Sequence, residues 1–149
     1  VVVTSIGGHF CINEFEAVSP LPVINMLSEV ERAVTAKGLN RIGIMGTRTV
    51  METKFYGGFS QTEVVPPAGD QLDQVHDAYV TMATAGFVTN EQRQVFEDAC
   101  RQFLQRDQVE AILLGGTDLA LVYDSETSEF PLVDGAAIHV EAITEAATR

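Results

Sequence analysis

An α/β fold with a largely parallel sheet is what this sequence predicts. Short apolar runs alternate with stretches of helical period along the whole chain, the helical stretches carry end signals, and small-residue loops follow several of the apolar runs. The candidate strands are Val1–Thr4, Pro22–Ile24, Arg41–Met45, Thr62–Val65, Ala111–Leu114 and Pro131–Val133. Asn25 can cap a helix running to about Lys37, and Gly38 can end it, because asparagine accepts orphan N–H groups and glycine adopts the left-handed end conformation. Ile24, Leu27, Val30 and Val34 would then face the sheet. A second helix from about Gln71 puts Leu72, Val75, Tyr79 and Met82 on one stripe. After Gly86, a third from about Thr89 to Gln105 carries Val95, Phe96, Ala99, Phe103 and Leu104. A last helix starts near Asp134 and runs through Ala137, Ile138, Glu141 and Ala142.

Composition narrows the function classes. The 149 residues are 46% hydrophobic and 20% charged, ordinary for a soluble globular chain, and no apolar run approaches the roughly 18 residues of a membrane span. Val1-Val2-Val3 has no basic flank, so it reads as neither signal peptide nor anchor, and cytoplasmic location is the default expectation. A net charge of −12, with nine basic residues scattered from Arg32 to Arg149, argues against a nucleic-acid partner. It leaves room for a small anion held by backbone N–H groups and one arginine, for which Arg48 is the candidate. Cys11 and Cys100 have neither disulfide spacing nor metal-ligand company, so no metal site is expected and both read as small buried hydrophobes.

In open α/β sheets, ligands sit beyond the carboxyl ends of the strands, which directs attention to three loops. They read Thr4-Ser5-Ile6-Gly7-Gly8-His9, Gly46-Thr47-Arg48-Thr49 and Gly115-Gly116-Thr117-Asp118. Small residues let the backbone approach an anion and hydroxyls add donors, so together the loops could cradle a carboxylate. Taken singly, each loop is better explained as a strand-to-helix turn. Among other polar residues, His76 reads as solvated and His139 as an ordinary helix-face histidine. Glu52 would sit early in a helix, where a carboxylate complements the dipole, and Asp118 would orient its loop or cap the next turn.

The three loops in this order resemble the aspartate/glutamate racemase family. Ile42-Gly43-Ile44-Met45-Gly46-Thr47-Arg48-Thr49-Val50-Met51-Glu52-Thr53-Lys54-Phe55-Tyr56 is similar to the family's strand, Thr-containing loop and helix. Ala111-Ile112-Leu113-Leu114-Gly115-Gly116-Thr117-Asp118-Leu119 resembles its Gly-Cys-Thr-Glu motif, and Val133-Asp134-Gly135-Ala136-Ala137-Ile138-His139 resembles the start of its closing helix. The first loop matches the Cys-Asn-Thr-x-His pattern at His9 alone.

The resemblance implies two pseudosymmetric Rossmann-like lobes with the substrate between them. Residues 20–120 would form the second lobe, and 1–19 with 121–149 a remnant of an incomplete first lobe. It implies a cofactor-independent racemisation of a small acidic amino acid, in which one thiolate removes the α-proton and a second thiol protonates the opposite face. The catalytic positions are Ser5 and Gly116, where the family has its cysteines, together with His9, which either activates Ser5 or anchors a helix. Gly7, Gly8, Thr47, Arg48, Thr49, Thr117 and Asp118 would bind the carboxylate. Glycine moves no proton and a serine hydroxyl is a far weaker acid than a thiol, so impaired chemistry is expected, with a non-catalytic carboxylate-binding or assembly module as the alternative. The family also carries a segment before its first cysteine motif, whereas Val1 already begins the strand leading there. A truncated form, or strands supplied by another subunit, would account for this, and a homo-oligomer is expected.

Overall fold

The computed structural model describes residues 1–149. Four parallel strands form one sheet, β1 (Arg41–Gly46), β2 (Glu63–Val65), β3 (Ala111–Gly115) and β4 (Leu132–Asp134), in the spatial order β2-β1-β3-β4. The two central strands are buried along nearly their whole length, as parallel strands covered on both faces must be. Each is therefore a continuous apolar run, and both are bounded where the sequence places them to within a residue.

Seven helical segments surround the sheet: α1 (Ile12–Val18), α2 (Met26–Ala36), α3 (Arg48–Glu52), α4 (Lys54–Gly57), α5 (Asp70–Ala85), α6 (Asn90–Gln105) and α7 (Gly135–Thr148). Their ends follow side-chain chemistry. The Asn25 side chain accepts from the Leu27 N–H at 2.9 Å, Thr89 and Gln92 form a reciprocal capping box, and Asp134 accepts from the Ala137 N–H at 3.0 Å. Gly38 and Gly86 take the left-handed conformation after α2 and α5. α4 is a single left-handed turn in which Lys54, Phe55 and Tyr56 all have positive φ, pinned by the buried Phe55 ring.

The sheet's two faces are covered differently. A Cβ on Gly43 would come within 2.7 Å of the Phe103 ring, so α6 lies directly on β1 there. Leu113 pairs with Ile44, one position on from Gly43, and so points to the opposite face, where it meets Val30 of α2 beside Gly135 of α7. β4 and α7 thus share the sheet and core of residues 20–120.

The expected strands Val1–Thr4 and Pro22–Ile24 reduce to one parallel bridge between Val2 and Ile24, made by Ile24 N–H to Val1 O at 2.9 Å. The Val1 amino group also donates to the Pro22 carbonyl at 2.8 Å, but Pro20 and Pro22 have no N–H to donate and α2 begins two residues after Ile24, so the pairing stays short. Cys11 also differs from expectation. It closes a 3-10 turn, Gly7–Cys11, directly before α1 and is only half-buried, whereas Cys100 is fully buried on α6. No helix is long and apolar enough to cross a membrane.

Candidate functional site

At the carboxyl end of the sheet, β1 and β3 end side by side on Gly46 and Gly115. A Cβ on Gly46 would lie 2.7 Å from the Gly115 carbonyl, and one on Gly115 would lie 2.8 Å from both the Met45 carbonyl and Val50 Cγ1. Two glycines let the strand ends close together, and the loops that follow diverge around a cavity of about 220 Å3. The first loop contributes Ser5, Ile6 and Gly7, the second Thr47 with Val50, and the third Gly115, Gly116, Thr117 and Asp118. Tyr79 of α5 completes the lining. Two larger clefts, about 400 and 530 Å3, flank α7 and share no lining residue with these loops.

Of the residues singled out in the sequence, Ser5, Gly7, Thr47, Gly116, Thr117 and Asp118 meet in the cavity. Gly8, His9, Arg48 and Thr49 do not line it. Gly8 packs against Val3, its N–H donating to the Ser5 carbonyl at 3.1 Å and hydroxyl at 3.3 Å. Thr49 is exposed on α3. Arg48 turns its guanidinium to Asp73 at 2.5 Å and to Glu52 at 3.8 Å, leaving no basic side chain in the lining. Glu52 ends the five-residue α3, the end at which a helix dipole does not favour a carboxylate, so the expected N-terminal placement is corrected.

The three histidines are all tied to backbone. His9 is buried. Its Nδ1 donates to the Ser5 carbonyl at 2.8 Å, since its Nε2 accepts from the Met26 N–H at 3.3 Å. The ring thus reaches the Ser5 backbone and not the Ser5 hydroxyl, and links the first loop to the start of α2. Burial lowers its pKa, the Ser5 bond opposes that shift and the nearby His139 adds to it.

His139, expected on an ordinary helix face, is buried instead. Its Nε2–H donates to the Ile24 carbonyl at 2.9 Å, and its ring stands edge-on to His9 with centroids 5.8 Å apart. His76, expected in solvent, accepts from the Arg48 N–H at 2.9 Å through Nδ1 and so fixes the second loop. His76 takes up the Arg48 N–H at the start of α3, and His139 the carbonyl of Ile24, the residue bridged to Val2.

Sequence reasoning missed the residue that shapes the cavity most. A Cβ built on Gly116 would lie 2.5 Å from Tyr79 Cζ and Cε2, so the phenol ring stands over this glycine in the space a side chain would need. The Tyr79 hydroxyl donates to Asp118 Oδ2 at 3.1 Å. Burial first, and then the adjacent Asp118 charge, push the phenol up to about 12, so it stays neutral. The available signal was a polar-tipped aromatic on an otherwise apolar helix stripe, since a buried tyrosine hydroxyl needs a partner.

Neither cysteine joins the cavity. Cys100 lies 3.6 Å from the Tyr123 hydroxyl, and burial pushes its thiol up to about 11, far from the thiolate a nucleophile or base requires. No group of three or more His, Cys, Asp or Glu side chains is placed to hold a metal ion.

Three solved structures share this architecture. A candidate Asp/Glu racemase from Yersinia pestis superposes with a TM-score of 0.87 at 24% identity, covering 99% of this chain and 66% of that one. An aspartate racemase homologue from Pyrococcus horikoshii OT3 gives 0.82 at 18% identity over 99% and 66% of the two chains. An aspartate racemase from Picrophilus torridus gives 0.71 at 19% identity over 98% and 61%. The chain therefore spans about two thirds of the length of the structures it matches, and at these identities the likeness establishes the fold. The family model described as Asp/Glu/Hydantoin racemase matches residues 1–143. Loop order, sheet and family match agree, and the chain belongs to the Asp/Glu/hydantoin racemase family.

Proposed function

We propose that this protein binds a small carboxylate, an amino acid or related acid, in the cavity between its three loops, and that two-base proton transfer at the α-carbon is impaired. The observation that carries this reading is the Tyr79 ring over Gly116, which fills the volume a thiol-bearing side chain would occupy. Cofactor-independent racemisation needs two groups of matched pKa on opposite faces of the α-carbon. Ser5 supplies only a hydroxyl, with His9 bonded to the Ser5 carbonyl and not to that hydroxyl, and Gly116 supplies nothing. The hydroxyls of Ser5, Thr47 and Thr117 remain as donors for a carboxylate.

The same proposal keeps the family's two-lobe plan, with residues 20–120 as the body of one lobe, β4 and α7 belonging to its sheet and core, and residues 1–19 as part of the other. It also takes the working form to be a cytoplasmic homo-oligomer.

The test is α-proton exchange of L-aspartate and L-glutamate in deuterated water, followed by NMR, alongside binding by ligand titration. Binding without exchange is the expected outcome. Enzyme-dependent exchange by the unaltered chain would overturn the assignment of impaired chemistry. Ser5→Cys with Gly116→Cys is expected to stay inactive, because the new side chain and the Tyr79 ring compete for one space. Adding Tyr79→Ala opens room for the second thiol.

A further inference from the structure

Resting on the carboxylate-binding reading, we infer that the Tyr79–Asp118 pair is an ammonium-reading end of the cavity, so that the ligand is a small zwitterionic amino acid with an uncharged remainder and not a dicarboxylic acid. Three observations carry this. Tyr79 has one hydroxyl hydrogen and spends it on Asp118 Oδ2 at 3.1 Å, which leaves the phenol lone pair and the carboxylate as acceptors at that wall. Asp118 is the one charged residue in the lining, because the nearby guanidinium of Arg48 is turned outward to Asp73 and Glu52. Finally, Tyr79 is only 7% exposed and Asp118 half-buried, so their acceptors are partly removed from water and gain most from a charged donor.

The polarity of the remaining wall fits the same ligand. Ser5, Thr47 and Thr117 offer hydroxyl donors to a single carboxylate, and the cavity of about 220 Å3 suits a small amino acid. A second carboxylate would enter a space whose fixed charge is already negative, in a chain whose net charge is −12. It would find no arginine or lysine there. The ammonium of a zwitterion neutralises Asp118 while its carboxylate is met by hydroxyls, so both ligand charges are matched without a basic side chain.

Four probes separate the terms by NMR or calorimetric titration: L-alanine, propionate, L-aspartate and succinate. L-alanine is expected to bind at least tenfold tighter than propionate, which has the same skeleton without the amine, and L-aspartate no tighter than L-alanine. Asp118→Asn should erase the L-alanine advantage, and propionate, no longer facing the Asp118 charge, should bind at least as tightly as before. Tyr79→Phe, which keeps the ring and the carboxylate, should reduce that advantage only in part. Equal binding of propionate and L-alanine, or preference for L-aspartate or succinate, would overturn the ammonium assignment and leave the carboxylate-binding reading standing. An L-alanine advantage retained in folded Asp118→Asn would also overturn it. No binding by any of the four would overturn the carboxylate-binding reading and this inference with it. If Asp118→Asn does not fold, the four wild-type affinities decide on their own.

Discussion

The wall of the cavity that carries Ser5 is a loop leading into a 3-10 turn and tethered through one buried imidazole, whereas the opposite wall continues a central strand of the sheet. Backbone-to-backbone closeness fixes the second wall, with Gly115 within reach of the Met45 carbonyl and Gly116 beneath a packed ring. The first wall is fixed by side-chain hydrogen bonds and by a single bridge, Val2 to Ile24. The same type of residue, a loop glycine, therefore has different importance in the two walls. Position of a group in a site is only as sharp as the element that holds it.

The largest effect should come from Gly115→Ala. Its new methyl meets a strand carbonyl that cannot move without disturbing β1, and a loss of about 3 kcal/mol is expected in urea unfolding. A loss under about 1 kcal/mol would show that the strand ends are looser than their register implies.

His9→Ala comes next. It leaves the Met26 N–H and the Ser5 carbonyl without their partner and opens a small cavity, so a loss of about 2 kcal/mol is expected. The same residue gives the first wall a pH dependence. Because burial holds the folded pKa of His9 below the ordinary 6.5, the folded state favours the neutral ring. Its contribution to stability is fully present above the unfolded value and is lost as pH falls from there through the folded value. Unfolding midpoints measured between pH 8 and pH 5 should fall with acid, and less steeply in His9→Gln. The facing charges are His139, which adds to the shift, and Glu16, which opposes it.

Gly116→Ala should cost less than Gly115→Ala, about 1 kcal/mol, because only a side chain, Tyr79, must give way. A double-mutant cycle with Tyr79→Leu sharpens the point. The cost of Gly116→Ala should shrink when the ring is gone, and additive effects would mean that the ring does not stand over the glycine. Smallest of all is Gly7→Ala, whose Cβ finds the Ser5 hydroxyl 3.4 Å away and nothing nearer, so a change within about 0.5 kcal/mol is expected.

What the sequence revealed follows the same division between walls. β1, β3 and helices α2, α5, α6 and α7 were legible because burial on one stripe or on both faces writes a period into the residues, and Asn25, Thr89 and Asp134 mark their starts. The segment before residue 26 was read as two strands, because Val1-Val2-Val3 and Val23-Ile24 have strand composition. Pairing is a property of two segments, and the prolines beside Leu21 remove the donors a ladder would use.

At the site, loop positions could be read but side-chain directions could not. Arg48 follows a strand as an anion-binding arginine would, yet Asp73, twenty-five residues on, draws it away. His76 and His139 found backbone partners at long sequence separation, and Tyr79 looked like one more apolar member of a helix stripe.

Tyr79 also gives the cavity an optical reporter. The chain contains no tryptophan and three tyrosines, and of these only Tyr79 shares its hydroxyl with a carboxylate that faces the cavity. Any molecule that competes for Asp118 alters the environment of that phenol, so occupancy registers in an ultraviolet difference spectrum without a label. Tyr79→Phe is the matching blank.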